Sequence, residues 1–332
     1  MSRDLLTNTP AGLFCEPGGF HVDPWLPVPL AVVTHAHGDH ARPGSGRYIC
    51  AAPGADLLRR RVGRDAEILS LPYGERFRLG NVGLSLHPAG HVLGSAQIRI
   101  EGGGTWVVTG DFKRQPDPTC APFEPLTCDV LVSEATFALP VYCWPSPDLA
   151  IEQILEWWTA NRDAGRASVL VCYALGKAQR LLALLAPHVR RPIFVHGTIA
   201  AFVNLYRAAG VSLAATTPVA ETMKGRSFAG ELVLAPEMAI GTTWMRRFGP
   251  HETGFASGWM RVRGNRRRRS FDRGFEISDH ADWPGLLRTI HESRARRVLL
   301  THGYGDPLAR YLREQGLEAD VLPTRFGAET ED

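Results

Sequence analysis

The sequence predicts an α/β protein: a sheet sandwich made from the two ends of the chain, split by an inserted α/β domain on a parallel sheet. Three textures along the 332 residues point there. Residues 1–137 are rich in short strand-like runs broken by Gly and Pro, the pattern of a sandwich. Residues 138–274 alternate helix-like and strand-like segments, the pattern of a parallel sheet with covering helices. Residues 275–332 return to strand, His-bearing loop and helix, and form the second part of the first domain.

In the first part, "PLAVVTHA", "VGLSLHPAGH", "SAQIRI", "TWVVTGD" and "DVLVSEAT" read as strands. Ser146 stands where a helix cap belongs, Pro147 at the first helical position, and Ile151, Ile154, Leu155 and Trp158 recur at helical spacing until Gly165. "ASVLVCYAL" then reads as strand, "GKAQRLLALLAP" as helix, "PIFVHG" as strand and "TIAAFVNLYRAAG" as helix, with "ELVLAP" and "TGFASGWM" as further strands. "GFEISDHADWPGLLRTIHE" and "RRVLLTHGYGDPLARYLREQG" complete the interrupted domain.

Composition narrows the function classes. Hydrophobic residues are 44% and charged residues 21%, as in an ordinary globular protein. A net charge of +3 implies no nucleic-acid partner by itself, although arginines crowd late in the chain. No stretch approaches the ~20 apolar residues that span a bilayer, and the N-terminal segment, with Asp4 and no apolar run, does not read as a signal peptide. The six cysteines form no C-x-x-C pair and are expected to be thiols in a reducing compartment, the cytoplasm.

The chemistry concentrates in "THAHGDH", just after an apolar run. His35 and His37 are two apart, so on an extended segment both imidazoles face one side. Asp39 and His40 follow as the chain turns and can serve a second ion. Imidazole nitrogen and carboxylate oxygen suit Zn²⁺, and less exclusively Mn²⁺ or Fe²⁺. The histidines at 21, 87, 188, 196, 251 and 291 carry no such pattern and are read as solvated or satisfied.

The H-x-H-x-D-H signature resembles that of the metallo-β-lactamase fold family, an αββα sandwich. "PAGHVLGSAQI" with His91, "VVTGDF" with Asp111 and "FHVDPW" with Asp23 resemble the rest of its pattern in order. The resemblance implies that His35, His37 and His91 hold one divalent ion and Asp39 and His40 another, with Asp111 bridging them and Asp23 orienting from behind. "LVSEATF" with Glu134, "EISDHADWPGL" with His280 and "VLLTHGYGD" with His302 look like the three further elements of the β-CASP nucleases, whose cap domain is inserted where residues 138–274 stand. His302 is then expected as a ligand, His280 as acid or phosphate contact, and Glu134 as the carboxylate that orients His280.

"PAGHVLGSAQ", "YALGKAQR", "ASGWMRVRG" and "SDHADWPG" are similar to the bacterial ligase-associated DNA exonucleases. That resemblance implies an exodeoxyribonuclease using two divalent ions (Zn and/or Mn). Its expected substrate is DNA, single-stranded or end-containing, in repair alongside an ATP-dependent ligase and a helicase. A β-CASP ribonuclease is the alternative, because a His at the position of His302 goes with RNA-processing members. A small-molecule metal hydrolase needs neither a cap nor an arginine run, and a non-catalytic binding subunit needs no intact ligand set. Two features suit a polyanion: Gly176 and Lys177 where a strand becomes a helix, and "RVRGNRRRRSFDR", in which Arg266, Arg267, Arg268 and Arg269 are candidates for a phosphate track.

Overall fold

In the computed structural model, which describes residues 4–262 and 271–323, the chain divides into two compact units. One is Met1–Pro140 with His280–Asp332; the other is Val141–Asp279.

The discontinuous unit holds two sheets. The first runs in the order β1 (Thr7–Thr9), β2 (Gly12–Cys15), β3 (Phe20–Val22), β4 (Leu30–Val32), β5 (Arg47–Ala51) and β6 (Ile68–Leu71), with α1 (Ala55–Val62) packed on β5 and β6. The second orders β19 (Glu318–Val321), β18 (Arg297–Thr301), β11 (Val130–Glu134), β10 (Thr105–Val108), β9 (Ala96–Glu101), β8 (Val82–Pro88) and β7 (Phe77–Leu79).

Side-chain alternation explains why this second sheet can be covered on both faces. The register aligns Val108, Val132 and Leu299 in one row, and these face the first sheet's Cys15, Phe20, Val22, Val32 and Ile49. The neighbouring row, Val107, Leu131 and Val298, faces the opposite way. It packs on Leu286 and Ile290 of α5 (Trp283–Ser293) and Leu308 and Leu312 of α6 (Gly305–Glu314). The layers are therefore helix, sheet, sheet, helix.

The contiguous unit is a six-stranded sheet in which every paired neighbour is parallel. Its order is β14 (Thr216–Pro218), β13 (Ile193–Val195), β15 (Leu232–Ala235), β12 (Ala167–Val171), β16 (His251–Ala256), β17 (Arg273–Phe275). β12, β13 and β15 are buried throughout, as expected of strands covered on both faces. One face carries α2 (Pro147–Asp163), α3 (Lys177–Leu185) and α4 (Gly197–Ala208). The other face is covered without an α-helix among the described residues: Phe228, Met245 and Phe248, on loops and short 3₁₀ turns, pack on Val169, Phe194 and Val233. Pro236, Gly241 and Gly249 interrupt any longer helix there.

Ser146 caps α2 through a hydrogen bond from the Asp148 amide, with Pro147 in the first turn. The buried face of this helix is Ile151, Ile154 and Trp157; Trp158, expected on it from spacing, is only half-buried. Both indoles find acceptors, Trp157 on Glu252 at 2.8 Å and Trp158 on the Gly230 carbonyl at 2.9 Å. Ile154 is fully buried between α2 and the sheet. Ile154→Ala should destabilise this unit by about 2–5 kcal/mol through the cavity it leaves, read as a lowered urea midpoint in the transition of the unit.

Candidate metal centre

The candidate ligands stand on loops that leave the ends of strands in the discontinuous unit. His35, His37, Asp39 and His40 follow β4, where the amides of His40 and Ala41 turn back on the His37 carbonyl. His91 follows β8, its loop tied by the Ser95 hydroxyl, which accepts from the amides of His91 and Val92. Asp111 follows β10, Glu134 ends β11, and His302 follows β18 with a left-handed backbone at φ +58°. Gly110, at φ +56°, lets the strand end pass Thr34 so closely that a Cβ there would lie 2.6 Å from the Thr34 Cβ.

The donor atoms converge. Nε2 of His35 lies 3.0 Å and Nε2 of His91 3.1 Å from Nδ1 of His37. With Asp111 these residues make one group that could hold an ion, and Asp39, His40 and His302 make a second. One oxygen of Asp111, Oδ2, is 3.5 Å from His35 Nε2, 3.8 Å from His91 Nε2 and 3.4 Å from His40 Nε2, so a single carboxylate reaches both groups.

Behind the donors lies a hydrogen-bond network centred on Asp23 and Thr34. Asp23 Oδ1 accepts from the Thr34 amide at 2.7 Å; Oδ2 accepts from the Thr34 hydroxyl at 2.5 Å and from His40 Nδ1 at 2.8 Å. Because the Thr34 hydroxyl donates to Asp23, its lone pairs are left for His35 Nδ1, 3.0 Å away. The network thus assigns the Nδ1–H tautomer to His35 and turns its Nε2 lone pair inward. Asp23 itself sits at φ +42°, its backbone held by a hydrogen bond from its amide to the Val32 carbonyl.

The residues fit divalent metal. Around a tetrahedral ion with bonds of about 2.0–2.1 Å, adjacent nitrogens stand roughly 3.3 Å apart, close to the separations among the three imidazoles. Nε2 of His40 is buried without a hydrogen-bond partner, 3.4 Å from carboxylate oxygens of both Asp39 and Asp111. Burial disfavours a charge on His40, but Asp111, Asp39 and Asp23 together outweigh it and hold its pKa well above the ordinary value. Burial pushes His35 well below, helped by His40. For Asp111 burial opposes ionisation, but His40 and His280 prevail and hold its carboxyl well below the usual range. An anionic carboxylate among imidazole nitrogens is a donor set that suits a divalent ion, which would take the place of the proton on His40.

Glu134 is used differently. Its Oε1 accepts from the Phe112 amide at 2.7 Å and its Oε2 pairs with His280 Nδ1 at 2.8 Å. Burial raises the pKa of Glu134 against the pull of His280. Although Asp111, Glu134 and His280 also lie close enough to share an ion, both oxygens of Glu134 already receive N–H donors. Its geometry is that of a carboxylate fixing an imidazole through Nδ1.

Two expectations need correction or lie elsewhere. Lys177 is not poised for a phosphate: it is 2% exposed, its ammonium donates to the Ile277 carbonyl at 2.9 Å and pairs with Asp279 at 3.2 Å. Burying an unpaired ammonium is costly, so the lysine at the helix start meets a carboxylate that arrives from about a hundred residues downstream. The Gly176 amide is likewise taken, by Gln179 Oε1 at 2.7 Å. Arg266, Arg267, Arg268 and Arg269 lie outside the described residues. His196 caps α4, Nδ1 accepting from the Thr198 amide. Sequence reasoning missed Thr34 and Asp279; only the Thr-His pair at the head of the motif, repeated as Thr301-His302, hinted at the first.

Among solved structures, a protein of unknown function from Enterococcus faecalis is similar in fold, with a TM-score of 0.58 at 13% identity over 89% of this chain and 79% of that one. No family model matches the chain. A probable DNA ligase of Opitutus terrae is 32% identical over 313 residues, spanning 93% of this chain and 30% of that protein. An RNase J-like protein of Methanocaldococcus jannaschii is 26% identical over 52% of this chain and 48% of its own. The endoribonuclease YSH1 of Yarrowia lipolytica is 33% identical over 36% of this chain and 14% of its own. The chain thus spans less than half the length of these curated relatives. Fold and relatives together define a metallo-β-lactamase protein with an inserted second unit. The chain belongs to the β-CASP family of that fold.

The Thr34 hydroxyl offers a test that leaves every donor in place. Thr34→Val keeps the shape but removes the link between Asp23 and His35, and should weaken divalent-metal affinity by about 10- to 100-fold. A competition titration against a chromophoric chelator measures it; unchanged affinity would reduce the hydroxyl to a packing role.

Proposed function

We propose that this protein is a metal-dependent nuclease that removes nucleotides from DNA ends, in repair beside an ATP-dependent ligase. The observation that carries the DNA reading is the 313-residue likeness to a probable DNA ligase, which runs through nearly all of this chain. In this reading His35, His37 and His91 would hold one divalent ion and Asp39, His40 and His302 the other, with Asp111 within reach of both groups. When bound, such a pair supplies Lewis acidity that lowers the pKa of water and offsets phosphate charge.

The chain's own residues do the rest. Asp23 and Thr34 keep His40 and His35 in the tautomers that present Nε2. Glu134 holds His280 by Nδ1, so that its Nε2 contacts the scissile phosphate or delivers a proton to the leaving 3′-oxygen, giving a 5′-phosphate product. Arg266, Arg267, Arg268 and Arg269 are proposed as sequence-independent phosphate contacts. The thiols of Cys50, Cys128 and Cys172, pushed up to about 12 chiefly by burial, are protonated and inert at neutral pH; with all described cysteines free, they suit the reducing cytoplasm. Among the described residues no helix is long and apolar enough to cross a membrane.

A second reading, an RNA-processing nuclease, is favoured by His302 and by relatives named as ribonucleases. End-labelled DNA and RNA of one sequence, incubated with Zn²⁺, Mn²⁺ or chelator, decide between them. The DNA reading expects metal-dependent trimming of DNA much faster than of RNA, abolished by chelator; equal or faster loss of RNA hands the function to the second reading. Within either, His280→Ala should cost orders of magnitude in rate while the protein keeps its metal by elemental analysis. Loss of one metal equivalent would make His280 a ligand instead. Asp111→Ala should lose both activity and bound metal.

A further inference from the structure

The contiguous unit carries a cavity of about 450 Å³, within the range of about 300–1,000 Å³ typical of small-molecule sites. It opens where three parallel strands begin: Gly165 precedes β12, Ala229 precedes β15, and Pro250 precedes β16. The three segments are tied together by hydrogen bonds from the Ala167 amide to the Pro250 carbonyl and from the Gly230 amide to the Arg166 carbonyl. The wall includes Arg226, Arg246 and Arg247 and, among the described residues, no Asp or Glu; Phe228 and Phe248, each 2% exposed, lie beneath it.

Two of the guanidinium groups are fixed in advance. Arg226 lies 4.6 Å over the ring of Phe194 and 5.9 Å from that of Phe228, and is paired from behind the wall by Glu231 at 3.1 Å. Arg247 donates to the Thr222 hydroxyl at 2.9 Å. Arg246 is exposed and makes no hydrogen bond or ion pair with any described residue, and the same holds for Lys224 nearby in sequence. Like charges gathered on one concave wall raise the local potential and attract an anion. A guanidinium already held by stacking or a hydrogen bond loses little freedom on pairing with phosphate.

We infer that this cavity is a nucleotide-phosphate site: a phosphate pairs with Arg246 and Arg247, and the rest of the same nucleotide occupies the cavity beside them. The nucleotide is either free or part of a strand. The inference rests on the polynucleotide reading of the metal centre, but it can be tested without hydrolysis.

The test is equilibrium binding of a fluorescein-labelled dT 15-mer to the full chain in chelator, across a salt series, with AMP and unlabelled dT 15-mer as competitors. Each phosphate contact on a single strand contributes roughly 0.7 to the slope of log affinity against log salt. Arg246→Ser with Arg247→Ser should therefore flatten the slope by about 1.4. Arg64→Ser with Arg310→Ser, which removes the same charge from exposed positions of the other unit, should leave a slope nearer the unaltered chain's. Competition by AMP that disappears in the pocket variant assigns a free or terminal nucleotide. Competition by the strand alone assigns an internal phosphodiester. An unchanged slope in the pocket variant, an equal loss in the control variant, or no binding of either probe overturns the inference. Because hydrolysis is absent throughout, a negative result leaves the nuclease reading to its own assay.

Discussion

The bond from the Thr34 hydroxyl to the Asp23 carboxylate sets the rest of the centre. It spends the only proton of that hydroxyl, which obliges His35 to be the donor at Nδ1 and the acceptor at Nε2. The same carboxylate claims Nδ1 of His40, so two imidazoles from one loop present the same nitrogen inward. Asp111 then needs only one oxygen to approach both. Among the described residues Nε2 of His40 is buried and has no hydrogen-bond partner. A divalent ion would satisfy that atom together with the lone pairs that His35, His37 and His91 turn towards one another.

Glu134 repeats the principle on a different imidazole. It holds the Phe112 amide with one oxygen and His280 with the other, fixing the loop that carries Asp111 and the ring of His280 with a single side chain. The histidine brought in from beyond the insertion is therefore located by the same carboxylate that stabilises the Asp111 turn.

Much of this was legible in the sequence because the ligands are packed into short motifs and because strand runs and breakers alternate plainly. The Ser146-Pro147 helix start, the parallel alternation after it and the strand–His–helix return all correspond to observed elements. What was not legible depends on residues distant in sequence. Lys177 looked like an anion contact because helix starts favour one; only the fold reveals that Asp279 reaches it. Trp157 and Trp158 both fit a helical face within the tolerance of a periodic reading, and the acceptors at Glu252 and Gly230 decide their places. The face of the parallel sheet covered by 3₁₀ turns had no periodic signal at all, since Phe228, Met245 and Phe248 are spaced by loop geometry.

The split of the sandwich has a consequence for how the chain matures. β11 pairs with β18, strands whose residues lie more than 160 positions apart, and β18 occupies an interior place in its sheet with β19 beyond it. A ribosome therefore releases the whole contiguous unit before the strand that completes the sandwich exists. Domains tend to fold as units while they are being made, and long-range parallel pairing is slow because loop closure precedes any gain from contact. A nascent chain carries six of the seven proposed ligands, His35 to Asp111, on an unfinished sheet until the later strands and helices arrive with His280 and His302. The candidate metal centre is thus assembled only after β18 and the helices that flank it have emerged, when the chain is long enough to shield its apolar sheet.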